Sequence, residues 1–244
     1  MGHWCSLHLF DDSKFYCEVI PVLKGETGDL TEMCLEFLKT HLVGGISRFT
    51  EVEIERMVEN YVEKFILISR SFDETFKNQD EFIQKISYEE RKKNISNLDA
   101  HYEFCRFFEY YLFASCADFF PHLGLGKGGV SRRFEIPSRT VAENIISELD
   151  NWNEFLAAYG MGITNWISSE DVEILYLDRE NLKFEDNESA EFFLQLLEIA
   201  YNHNLGFVCG VDMNEESLEL LPQNKLLSKE FWLEQKLTGV RLER

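Results

Sequence analysis

Apolar residues recur at spacings of three and four along much of the chain, and in a few short stretches they alternate. Ile54, Met57, Val58, Tyr61, Phe65 and Ile68 form the clearest stripe, and Thr50 with Glu53 makes a capping box at its start. This predicts a long amphipathic helix. Met33, Cys34, Phe37, Leu38 and Leu42 form a second face, so a helix is expected over 30–43, capped by Asp29 and ended by Gly44-Gly45. A third runs through Val141, Ile145, Leu149, Trp152, Leu156 and Tyr159 after Pro137-Ser138. A fourth, over 189–204, is apolar nearly all round. Short helices are expected near 215–221 and 228–237, and a second capping box stands at Ser87–Glu90.

Strands are fewer. Trp4–Phe10 alternates loosely and Leu205–Val211 is a short apolar run, so both predict strands, and 130–136 looks extended. Lys14–Leu23 fits a helix capped by Asp12 or Ser13 and interrupted by Pro21 better than it fits a strand. Residues 170–177 fit either. Leu98–Phe120 carries nine aromatic rings over more than one stripe and reads as one buried central helix. No regular alternation of strand and helix appears, which argues against a doubly wound sheet. The expected fold is mainly α with a few short strands, an α+β protein forming a single compact domain of 244 residues with an aromatic-rich core. Gly124–Gly129 is the candidate subdivision. The 21 phenylalanines supply the large buried areas such a core needs.

Charge then narrows the function. The formal net charge is −20, a field that repels nucleic acid and anionic lipid and attracts basic proteins. Between Glu170 and Glu219 fourteen acids face only Arg179 and Lys183. Glu170, Asp171, Glu173, Glu185, Asp186 and Glu188 are the candidate partner-binding residues. No secretory signal and no apolar run long enough to cross a membrane is visible, so a cytoplasmic protein is expected. Met1–Ser6 fits a loose myristoylation pattern, but without a polybasic flank it is read as coincidence. Cys5, Cys17, Cys34, Cys105, Cys116 and Cys209 form no C-x-x-C pair and read as free thiols.

Candidate chemistry is sparse. Gly124-Leu125-Gly126-Lys127-Gly128-Gly129 matches the letters of a dinucleotide-binding turn. That turn needs a strand before it and a helix within it, whereas an aromatic helix is expected before and an extended segment after. The phosphate-loop pattern fails too, because Pro121 stands where it needs glycine and Gly128 where it needs a hydroxyl. Lys127, Arg132 and Arg133 remain a local basic cluster that could hold a phosphate or carboxylate. His101, Cys105 and Glu109 share one helical stripe, and His3 and His8 stand five apart on opposite faces of the first strand. Asp212 follows the later strand, at a catalytic position or a helix cap. No metal site or cofactor is expected.

The reading that follows is an acidic, cytoplasmic, non-enzymatic binding protein. In general character it resembles an immunity-type inhibitor that neutralises a basic protein partner. The alternative is a small enzyme or sensor with an anion site on the Gly124–Arg133 loop.

Overall fold

In the computed structural model, five strands pair antiparallel into one sheet. They are β1 (Cys5–Phe10), β2 (Ala117–Gly126), β4 (Gly162–Ile167), β6 (Gly206–Val211) and β7 (Val240–Arg241), in the order β4-β6-β1-β2-β7. Two short strands, β3 (Phe134–Glu135) and β5 (Lys183–Phe184), pair separately. The helices are α1 (Asp12–Lys14), α2 (Ile20–Leu23), α3 (Thr31–His41), α4 (Glu51–Lys77), α5 (Ile95–Ser115), α6 (Ser169–Leu177), α7 (Asn187–Asn202), α8 (Glu215–Leu218) and α9 (Lys229–Glu234). The structure describes residues 5–42, 44–77, 95–126, 134–135, 162–184, 187–213, 215–235, 237 and 240–241. The expected helix over 137–160 and the second capping box lie outside them.

This is an α+β protein with an aromatic-rich core. The chain divides into two compact units, one formed by Met1–Phe15 with Leu112–Arg244 and the other by Tyr16–Tyr111.

In the first unit β1 is the central strand. Leu7, His8, Leu9 and Phe10 are all buried, so both faces of the sheet are covered, and alternation along β1 is correspondingly loose. On one face Phe10 meets Phe15, which meets Trp166 edge-on at 5.3 Å. Phe193 of α7 lies 6.1 Å from Phe207 of β6. The α6 helix begins with Ser168, whose hydroxyl accepts from the Asp171 amide at 3.2 Å and donates to its carboxylate at 2.9 Å. Asp12 reaches the same helix end and accepts from the Ser169 amide and hydroxyl, both at 2.9 Å.

In the second unit α3 and α4 carry the predicted faces inward, with Cys34, Phe37, Leu38, Val58 and Phe65 buried. Phe65 stacks on Phe107 at 4.5 Å, and Phe37 meets Phe107 edge-on at 5.4 Å. The Thr50 capping box forms as predicted: the Thr50 amide donates to Glu53 at 2.8 Å and the Glu53 amide donates back at 3.4 Å. Asp29 accepts from the Thr31 amide at 2.9 Å, but it stands one residue before the N-cap, which is Leu30 and not the expected Asp29. The 12–23 segment is helical, with Asp11 rather than Asp12 or Ser13 as its cap, a π-helical turn over Phe15–Val19, and Pro21 in the first turn of α2, where no amide is needed.

One element also differs in kind from its expectation. The aromatic helix stops at Ser115, and Ala117–Gly126 is strand. Phenylalanine-rich runs suit a buried strand as well as a buried helix, and pairing with β1 decides the matter here.

Candidate functional site

The strand β2 leaves its register with β1 between His122, opposite His8, and Ala117, opposite Phe10. Four residues, Asp118 to Pro121, therefore face Leu9 alone, and their buried polar groups need partners outside the ladder. The Phe119 carbonyl accepts from His8 Nδ1 at 2.9 Å and from His122 Nδ1 at 3.0 Å. The Phe120 amide donates to the Gln223 side-chain oxygen at 2.9 Å. The Asp118 carboxylate accepts from the Lys225 and Leu226 amides at 3.1 and 3.0 Å, with the Lys225 ammonium 3.4 Å away.

Two residues on from Ser6, His8 shares its strand face, and its Nε2 lies 2.8 Å from Ser6 Oγ. A carbonyl only accepts, so His8 carries its proton on Nδ1 and Nε2 accepts from the serine hydroxyl. This is the hydrogen-bond order of a serine–histidine dyad. Its electrostatics oppose that chemistry. Burial, and then the neighbouring His122, hold His8 well below its ordinary range. Phe113 and Phe119 flank the ring at 5.1 and 5.0 Å. Forming an imidazolium there requires charging a desolvated ring next to a second histidine. The pair ties β1 to the irregular part of β2. Sequence reasoning noted His8 but missed Ser6; the signal was the i, i+2 spacing within a predicted strand.

The other candidates fare as follows. Cys105 is buried, and burial, with Glu109 second, pushes its thiol up to about 12. Cys34 and Cys116 are likewise raised to about 12 by burial, so none of the three presents a thiolate at neutral pH. Glu109 is buried beside Cys105, and the side chain of His101 lies outside the described residues. His3 also lies outside them. Asp212 ends β6 in the left-handed region, with φ 44°, and turns the chain so that the Met213 thioether covers Gly210 beside Ser6. No cluster of three or more His, Cys, Asp or Glu suited to a metal occurs among the described residues.

Gly124 and Gly126 belong to β2, opposite Ser6 and Cys5. A strand, not the expected helix, therefore leads into the glycines. The dinucleotide reading still fails, because both neighbours of β2 are antiparallel and its first two glycines are ladder residues. Lys127, Arg132 and Arg133 lie outside the described residues.

The acidic stretch is partly resolved into surface and interior. Glu170 and Glu173 are exposed on α6, as are Glu191 and Glu198 on α7. Asp171, expected on the same face, is buried at 5 % exposure as part of the α6 cap, with burial raising its carboxyl above the ordinary range. It is not available to a partner. Glu185 and Asp186 lie outside the described residues; Glu188 lies on α7, its side chain undescribed.

Beside α7 the surface is concave. Gln195, Glu198, Ile199, Asn202 and His203 form one wall of a groove of about 390 Å³, and Phe231, Gln235 and Leu237 form the other. His203 meets Phe231 edge-on at 5.0 Å. The lining is mainly polar, and its charged member is Glu198. No spacing within either segment announces this groove, since its walls are about thirty residues apart.

No helix among the described residues is long and apolar enough to cross a membrane. Compared with protein-family models, curated proteins and solved structures, the chain matches none of them.

Proposed function

We propose that this is a binding protein that holds a basic protein partner on its acidic surface, without chemistry of its own. The observation that carries the reading is the set of exposed carboxylates Glu170 and Glu173 on α6 and Glu191 and Glu198 on α7, the last of them lining a concave groove, in a chain of net charge −20. Such a field raises the association rate with a basic protein and opposes nucleic acid. The depressed basicity of His8 and the raised thiols of Cys34, Cys105 and Cys116 weigh the same way, because none is poised for proton transfer or attack near neutral pH. The setting is cytoplasmic, and neutralisation of a harmful basic protein is the form of activity this character suits.

Affinity capture from source-cell lysate tests it, with the wild type compared against a variant carrying Glu170→Lys, Glu173→Lys, Glu191→Lys and Glu198→Lys. A basic protein retained at low salt, released at high salt and absent from the variant supports the proposal. Equal recovery on both proteins refutes it.

A further inference from the structure

We infer that the outward face of α6 docks an amphipathic basic helix of the partner, whose apolar row lies on Ile174 and Leu177 and whose cations meet the carboxylates beside them. This rests on the partner reading above and names what the partner presents.

Helix phase defines the face. Successive residues of an α-helix are turned by about 100°. Asp171, Val172 and Leu175 therefore share one side of α6, and all three are buried. Glu170, Glu173, Ile174 and Leu177 fall together on the other side, within an arc of about 100°, and all four are exposed. Tyr176 lies between the two arcs and stacks on Tyr201 of α7 at 4.2 Å. Val172 and Leu175 thus serve the core, while Ile174 and Leu177 stay outside at 39% and 65% exposure. They are three residues apart, so they are neighbours on one helix face and make one continuous apolar strip. A lone exposed leucine is ordinary; two adjoining apolar side chains set among carboxylates have the make-up of a contact surface, an apolar centre with a charged rim.

Charge names the occupant. Glu170 and Glu173 precede the apolar pair and Glu180 follows it, in the turn Arg179–Asn181. None of the three makes an ion pair among the described residues. The nearest cation in sequence, Arg179, is engaged on Tyr176: its guanidinium donates to the Tyr176 carbonyl at 2.8 Å and lies over the Tyr176 ring at 4.2 Å. The carboxylates are left for a cation from outside. A second copy of this chain would bring like charge to the same face, and an anionic surface is repelled. An uncharged apolar partner would desolvate the carboxylates without a counter-charge. A helix suits the shape, because the Ile174–Leu177 row is a ridge on a convex surface and fits the groove between side-chain rows of a second helix.

The probe is a short helical peptide of leucine and lysine with all its leucines on one face, titrated into the full chain and followed by amide chemical shifts. A permuted peptide of the same composition without an apolar face runs alongside. Saturable shifts centred on residues 170–177 are expected with the amphipathic peptide, and much weaker ones with the permuted peptide. Ile174→Ser with Leu177→Ser leaves every charge in place and should weaken binding at least roughly tenfold. Leu67→Ser, at an equally exposed leucine of α4, should leave it unchanged. Equal binding of the two peptides would overturn the inference in favour of a diffuse acidic field. So would equal losses in the Leu67 and α6 variants. In lysate capture, a basic protein kept by the serine pair variant but lost on charge reversal removes the docking strip and keeps the partner reading. Capture of no basic protein by the wild type removes the partner reading and, with it, the partner's helix.

Discussion

His8 Nδ1 donates to the Phe119 carbonyl at 2.9 Å, across the point where β2 departs from its register with β1. The bond fixes the tautomer of a fully buried, neutral histidine and leaves Nε2 as acceptor for Ser6. It also makes the first unit sensitive to acid.

Below pH 6.5 an unfolded His8 takes a proton, whereas the folded one takes it only well below that value. The unfolded state then binds more protons, so stability falls on acidification through this window, by up to about 1.4 kcal/mol per pH unit. Above pH 6.5 this contribution is flat. Urea denaturation at stepped pH should show the decline, and His8→Gln should make it shallower. Burial lowers His41 as well, so a residual slope of the same sign should persist in that variant. An unchanged slope in His8→Gln would mean that His8 is already charged in the folded protein.

Ser168→Ala removes the cap of α6 and the hydroxyl that donates to buried Asp171. The expected loss is about 1–3 kcal/mol in chemical denaturation, with Ser168→Thr largely restoring it. A neutral result would show that Asp171 turns outward and rejoins the acidic face.

Most elements were legible because their signals are local. The Thr50 box, the 54–68 stripe, the Met33–Leu42 face and the Leu205–Val211 run each lie within a single helix or strand, and each element forms. Residues 170–177 were ambiguous because the helix depends on Ser168 at its cap and on Asp12, 157 residues away, accepting from Ser169. The strand over 117–126 was hidden because an aromatic run has no period to distinguish helix from strand, and its pairing partner β1 is far from it in sequence, at Cys5–Phe10. In the candidate site, charge was legible and depth was not. Glu170 and Glu173 are exposed while Asp171 between them is buried, a difference set by helix phase and by Ser168. The groove residues Ile199, His203 and Phe231 were invisible as a set, since only the packing brings α7 beside residues 231–237.

Among the described thiols, Cys17 is exposed and Cys34, Cys105, Cys116 and Cys209 are buried. A thiol reagent at mildly alkaline pH, read by peptide mapping, should label Cys17 quickly. Cys34, Cys105 and Cys116, pushed up to about 12 by burial, should react only on unfolding. Rapid labelling of Cys105 in the folded chain would reopen the stripe it shares with His101 and Glu109 as a reactive site.

In the second unit, Phe65→Ala removes a fully buried ring stacked on Phe107 and packed against Phe104. The expected cost is about 3–5 kcal/mol, read as a lower denaturation midpoint with α4 and α5 reporting together by hydrogen exchange. A cost below about 1 kcal/mol would contradict the packing described for this core.

The acidic surface as a docking site for a basic protein is tested most directly by comparative capture. The wild type and the Glu170→Lys, Glu173→Lys, Glu191→Lys, Glu198→Lys variant, matched for folded content by circular dichroism, are presented to the same lysate across a salt series. The account predicts a basic protein retained by the wild type at low salt, lost as salt rises, and missing from the variant at every salt concentration. Recovery of no basic protein, or of the same protein equally on both, would contradict it.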